Sequence, residues 1–231
     1  MKWLRRLAWR AGTLVLTLVA LYFTWIFSHL LWWNFFNPSS SAFMENRLES
    51  MQERNPKAKL RHVWVPYKKI SLNLKRALVA AEDANFMEHE GFDWTAIQNA
   101  YAKNLREGRV VAGGSTITQQ LAKNLFLSPK RSALRKLEEA IITVMIESVM
   151  DKRRIFEIYL NMIEWGNGVF GCEAAARHYF NKSAANLDAW EAARLAAMVP
   201  NPRFYDLHRD TPYLDKKTLL ILSRMPSAAV P

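Results

Sequence analysis

Ser132-Ala133-Leu134-Arg135-Lys136-Leu137-Glu138-Glu139-Ala140-Ile141-Ile142-Thr143-Val144-Met145-Ile146-Glu147-Ser148-Val149-Met150 reads as one long amphipathic helix. Leu134, Leu137, Ile141, Met145 and Val149 recur three or four residues apart, which places them along one side of it. Arg135 and Glu139 are four apart and so are neighbours on a helix face, and that face continues through Ile142 and Ile146. Glu139 therefore borders apolar surface. An ordinary surface ion pair explains it poorly, because Arg before Glu is the weaker order for helix stability.

The helical period extends to both sides of this run. Ser71 can cap a helix carrying Leu74, Ala77, Leu78 and Ala81 that ends near Glu82-Asp83. The segment 94–105 is a second helix, stopped at Gly108. Gly113-Gly114 breaks the chain, and Thr116-Ile117-Thr118-Gln119 resembles a capping box opening a helix through Leu125. Pro129 opens a loop, and Asp151 caps a further helix to Asn161. A glycine loop at 166–171 precedes helices over about 172–180 and 187–198, the last ended by Pro200 and Pro202. The one strand-like piece is 62–65, and no internal repeat is visible. The fold class is mainly α.

The N-terminus is different in kind. From Ala11 to Phe36 there is no Lys, Arg, Asp or Glu, a stretch long enough to cross a bilayer as a helix. Trp3 and Trp9 on one side, with Trp32 and Trp33 on the other, sit where interfacial anchors belong. Lys2, Arg5, Arg6 and Arg10 crowd the N-terminal flank, so the positive-inside rule puts the N-terminus in the cytoplasm and the rest outside. No small-residue cleavage site follows, which argues against a removable signal peptide. The expected division is a basic cytoplasmic tail at 1–10, a transmembrane helix at 11–36, a linker or membrane-proximal segment at 37–60, and one domain at 61–231.

The formal net charge of +11 calls for an anionic partner. Membrane lipid headgroups or a phosphate-bearing substrate fit a chain with this N-terminus, and nucleic acid is not expected. The single cysteine, Cys172, excludes an intrachain disulfide and a four-cysteine zinc site. Several motifs are decoys. Gly166-Asn167-Gly168-Val169-Phe170-Gly171 has the letters of a dinucleotide fingerprint but lacks its parallel α/β surroundings. Gly113-Gly114-Ser115-Thr116 has no Gly-Lys-Ser/Thr after it and is not a P-loop. No Ser-x-x-Lys occurs, so penicillin-binding acyl-transfer chemistry is absent. Glu88-His89-Glu90 lacks the second histidine of a helical zinc site.

Three segments concentrate polar residues. Residues 82–93, Glu-Asp-Ala-Asn-Phe-Met-Glu-His-Glu-Gly-Phe-Asp, crowd carboxylates, a histidine and aromatics at a helix end. Residues 113–124, Gly-Gly-Ser-Thr-Ile-Thr-Gln-Gln-Leu-Ala-Lys-Asn, place hydroxyls, amides and free N–H groups at a helix start, suited to an anion or sugar. The third is Arg135-Lys136-Leu137-Glu138-Glu139. In this order they resemble successive motifs of the peptidoglycan glycosyltransferases, and Lys152-x-x-Ile155-x-Glu157-x-Tyr159-Leu160-Asn161 is similar to the fourth. The resemblance covers roughly residues 60–200 and, with one anchor and no transpeptidase signature, points to the monofunctional biosynthetic branch. Phe156, Trp165 and His178 depart from the usual residues.

This resemblance implies a lysozyme-like helical domain with a small membrane-facing lobe, in a bacterial inner-membrane protein whose catalytic domain is periplasmic. It implies polymerisation of lipid II by inverting transfer to the 4-hydroxyl of N-acetylglucosamine, with release of polyprenyl diphosphate. Glu82 would be the base, and Glu139 would orient cations or assist the leaving group. Lys123, Arg135 and Lys136 would receive the diphosphate. Ser115, Thr116, Gln120 and Asn124 would hold sugar and phosphate oxygens, and Asp83, Phe86 and His89 would shape the substrate pocket. No tightly bound cofactor is implied, while a divalent cation (Mg2+ or Mn2+) beside the diphosphate is left open. The implied partners are lipid II, the growing glycan strand and other cell-wall synthesis or division proteins. A lytic or hydrolytic enzyme on the same glycan, or a non-catalytic membrane scaffold, are the competing readings.

Overall fold

A computed structural model describes residues 2–109, 111–130 and 132–231. The chain falls into two compact units, one up to Asn37 and one from Pro38.

The first unit is a single helix, α1 (Lys2–Trp33), long and apolar enough to cross a membrane. At about 1.5 Å per residue it is on the order of 48 Å long. The hydroxyls of Thr13, Thr17, Thr24 and Ser28 each donate to a carbonyl three or four residues back, at 2.8–2.9 Å. Apolar surroundings would therefore find these side chains already satisfied. The sequence reading began the span at Ala11 and ended it at Phe36. The helix instead runs back through Arg5, Arg6 and Arg10, since Arg and Lys are good helix formers, and stops at Trp33 before a turn at Asn34.

The second unit opens with α2 (Ala42–Gln52), capped by Ser41, which lies in the segment read as linker or membrane-proximal helix. It is followed by β1 (Arg61–His62), α3 (Leu72–Glu82), α4 (Trp94–Glu107), α5 (Ile117–Phe126), α6 (Ala133–Val149) and α7 (Lys152–Met162). Next come β2 (Glu164–Gly166), β3 (Val169–Phe170), α8 (Cys172–Phe180), α9 (Ala189–Met198), α10 (Pro202–Leu207) and α11 (Pro212–Arg224). Several helix starts follow from side chains three residues ahead of the N–H they satisfy. Asp93 accepts from Ala96 N at 2.7 Å, and Asp151 accepts from Arg154 N at 2.7 Å. Thr116 and Gln119 exchange bonds of 3.0 and 3.2 Å in a full capping box.

Two helical layers make the core. In one, α3, α9 and α11 pack against one another; in the other, α5 lies against α6 and α7, with α2 on α5. Leu74, Leu78, Ile117, Leu121, Ile142 and Ile155 are fully buried, each contributing about 1.5–3 kcal/mol by leaving water. Helix α9 is buried on nearly every side, and its alanines at 192, 193, 196 and 197 let α3 and α11 approach closely. The sequence reading chose the wrong apolar side for α6. Leu134 and Leu137 are exposed, whereas Glu139, Ile142, Thr143 and Ile146 are buried, because α5 and α7 cover that face.

Two other expectations change. Pro202 starts α10 rather than ending a helix, since proline is well suited to the first helical position. The glycine loop forms a hairpin of β2 and β3, with β3 parallel to β1, so the strand-like piece has partners. Gly171 enters α8 with φ +80°, and a Cβ there would lie 2.7 Å from the Asn161 carbonyl oxygen. Both backbone conformation and space demand glycine. The fingerprint letters thus serve a tight turn and not a nucleotide.

Asn161, fully buried, ties the β1 segment to α7. Its Oδ1 accepts from Val65 N at 2.9 Å, and its Nδ2 donates to Val65 O and Glu157 O at 3.0 and 2.8 Å. Asn161→Ala leaves the Val65 N–H and carbonyl without these partners. Chemical denaturation in detergent should show a loss of about 2–4 kcal/mol, and an unchanged midpoint would contradict this account.

Candidate active site

The site begins where α3 stops. Asp83, the C-cap residue, is buried and uses both carboxylate oxygens: Oδ2 accepts from Ile117 N at 2.9 Å and Oδ1 pairs with His89 Nε2 at 2.9 Å. Ile117 N is a free donor of the α5 N-terminus, where negative charge is favoured. This junction fixes the last turn of α3 against the first turn of α5. Glu82 then meets Gln120, whose Nε2 donates to Glu82 Oε2 at 2.8 Å. The loop before α5 can lie close against α4 because Gly114 has no side chain: a Cβ would lie 2.9 Å from Ile97 Cα.

Helix α6 supplies the second acid. Glu139 is only 3% exposed and is clasped by Arg135 at 2.7 Å through Nη1 and by Lys136 through Nζ. Lys136 also donates to Ser115 Oγ at 3.3 Å, linking α6 to the α5 entry loop. Among the described residues, Arg135 Nε is buried without a hydrogen-bond partner. Lys123 stands between the two acids, and both Glu139 and Glu82 act on its charge. Its ammonium lies 5.6 Å from the Phe43 ring centroid.

Two cavities adjoin this cluster. One of about 320 Å³ is lined by Gln120, Lys123, Asn124 and Arg135, with Asn201 and Arg203 at its far side. The other, about 220 Å³, is lined by Glu82, Asp83, Ser115, Thr116 and Arg224. Gln120 lines the first and Glu82 the second, and the hydrogen bond between them links the two linings.

The electrostatics suit a base beside cations. Desolvation raises the Glu82 pKa, opposed by the Gln120 hydrogen bond and by Lys217 and Lys123. Desolvation lowers the Lys123 pKa, opposed by Glu139. Lys217, on α11, is lowered in the same way and held up by Glu82. The sequence reading missed Lys217. Its signal was the basic pair at 216–217 in an amphipathic run, but only the packing of α11 on α3 brings it to Glu82.

The structure brings together Glu82, Asp83, Ser115, Thr116, Gln120, Lys123, Asn124, Arg135, Lys136 and Glu139. Phe86 is fully buried, packed on Phe156 at 5.5 Å between ring centroids, with the Lys152 ammonium 4.7 Å from its own, so any part it has in shaping the pocket is played from within the core. Thr116 is buried as well, its hydroxyl donating to Gly91 O at 2.7 Å, and Asn124 donates to Gln120 O at 2.7 Å. His89 braces Asp83 from beneath the site. Both Glu139 oxygens are taken by cationic side chains, and no trio of His, Cys, Asp or Glu is grouped for a metal among the described residues.

Residues 47–226, the unit that carries these acids and cations, match the family described as Transglycosylase, a class of glycan-handling enzymes. The chain belongs to that family. It is 61% identical over 227 residues to a biosynthetic peptidoglycan transglycosylase of Nitrosospira multiformis, covering 98% of this chain and 99% of that protein. It is 62% identical over 228 residues to the protein of that name from Methylobacillus flagellatus, covering 99% and 100%. A third, from a Janthinobacterium species, is 60% identical over 231 residues with both chains fully covered.

Because Lys217 favours the ionised form of Glu82, Lys217→Met should raise the Glu82 pKa further. The acid limb of the pH–rate profile of sugar transfer should then move to higher pH; an unmoved limb would show that Lys217 does not act on this carboxylate.

Proposed function

We propose that this protein is a membrane-anchored peptidoglycan glycosyltransferase that polymerises lipid II. The observation that carries the reading is that Gln120, hydrogen-bonded to Glu82, lines one cavity with Lys123 and Arg135, while Glu82 and Lys123 act on each other's charge. Inverting transfer needs a base on the face opposite the leaving group. Glu82 takes the proton of the acceptor N-acetylglucosamine 4-hydroxyl, the oxygen attacks the anomeric carbon of the donor, and that carbon's bond to diphosphate breaks with its electrons. Departing negative charge needs cations more than a strong acid. Lys123 and Arg135, which line the cavity, receive it, with Lys136 beside them. Glu139 holds the Arg135 and Lys136 side chains in place before substrate arrives. Ser115, Gln120 and Asn124 offer hydrogen bonds to sugar and phosphate oxygens.

The anchor belongs to the same reading. A polyprenyl substrate stays in the bilayer, and a tethered enzyme meets it at high effective concentration. The basic residues at the start of α1 support an N-terminus in the cytoplasm of a bacterial inner membrane and a domain outside it. Exposed Trp94, Tyr101 and Leu105 on one face of α4, with Leu134, Leu137 and Val144 on α6, support a lobe that faces the membrane. Other cell-wall synthesis proteins are natural partners for an enzyme so placed.

Purified full-length protein given lipid II should form glycan polymer, whereas shortening of finished glycan would favour a cleaving enzyme. Glu82→Gln should lower polymerisation by about 10²–10⁴-fold while retaining fold and membrane insertion; turnover like that of the parent would remove Glu82 from its role. A reporter fused after Pro231 should be active outside the cytoplasm, and cytoplasmic activity would reverse the orientation.

A further inference from the structure

Tyr159, on α7, is 0% exposed, and its hydroxyl donates to Gln120 Oε1 at 3.0 Å. The other end of the same amide donates to Glu82 Oε2 at 2.8 Å. An amide has one accepting end and one donating end. A hydroxyl held at the oxygen therefore decides which end faces the carboxylate. Burial, with Glu82 and Asp83 adding to it, keeps the Tyr159 hydroxyl protonated far above its ordinary range, so it acts as a permanent donor and not as an acid or base. A buried hydroxyl is costly without a partner, and this one has its partner in the site.

We propose that Tyr159 is a positioning residue for glycosyl transfer: it locks the Gln120 amide with its NH2 toward Glu82, keeping that carboxylate ionised and aimed at the acceptor hydroxyl. The inference rests on the reading of Glu82 as the base. Without the hydroxyl, the amide can rotate and present its oxygen to Glu82, which satisfies only a protonated carboxyl. The charged groups around Glu82 are Asp83 beside it, Lys123 from α5, Lys217 from α11, and Arg224, which lines the same cavity as Glu82. A Tyr-to-Phe change alters none of them.

Tyr159→Phe should shift the acid limb of kcat/KM for lipid II to higher pH by about half to one unit, with little change in KM and recovery toward the parent rate at high pH. In a Gln120→Leu background the same change should be silent, because the tyrosine acts only through the amide. Gln120→Leu alone should move the limb in the same direction, which keeps the test open should Tyr159→Phe not fold. An unmoved limb in either single variant, or a tyrosine effect that persists without Gln120, overturns the proposal. If Glu82→Gln is inactive in those same preparations the base assignment survives that failure, whereas an active Glu82→Gln sinks the base assignment itself.

Discussion

The whole site depends on one junction, the Asp83 carboxylate seated on the N-terminus of α5. A helix start carries unsatisfied N–H groups and partial positive charge, and a buried carboxylate needs both. Each satisfies the other, and His89 occupies the remaining oxygen. The two helices concerned are far apart in the chain, yet this contact sets their ends to within hydrogen-bond tolerance. Glu82 and Gln120 are then neighbours as a consequence. Thr116, tied to Gly91, closes the same corner from the loop side.

The second acid is placed by a different device. Glu139 sits on the buried face of α6, where an unpaired carboxylate would be costly. Arg135 and Lys136, one turn earlier, supply two cations within reach of its two oxygens. The site thus carries its own counter-ion while empty, and the cations are oriented without waiting for a diphosphate. Preorganisation of this kind is what makes charge stabilisation effective in transfer chemistry.

Much of this was legible in the sequence wherever a residue acts on a near neighbour. Ser71, Thr116 with Gln119, and Asp151 cap the helices that their positions imply, and the Arg135–Glu139 spacing places that pair on one face. Legibility failed where tertiary contact decides. The apolar face of α6 could not be chosen from its pattern, since Leu134 and Leu137 obey the helical period but remain exposed. The enclosure of Phe86 by Phe156 and Lys152 from α7 likewise has no local signal. The β2–β3 hairpin is too short for an alternating signal, and its glycines suggested only a loop. Lys217 was invisible as a site residue because nothing local connects α11 to Glu82.

The alanines of α9 have an effect out of proportion to their size. This helix packs against both the one bearing Glu82 and the one bearing Lys217, so its methyl groups help to set how closely those two elements approach. Interiors are too densely packed to absorb an added carbon quietly. A single larger side chain there would act as a wedge, prying the two charges apart and detuning the reaction centre without touching any group that meets the sugar.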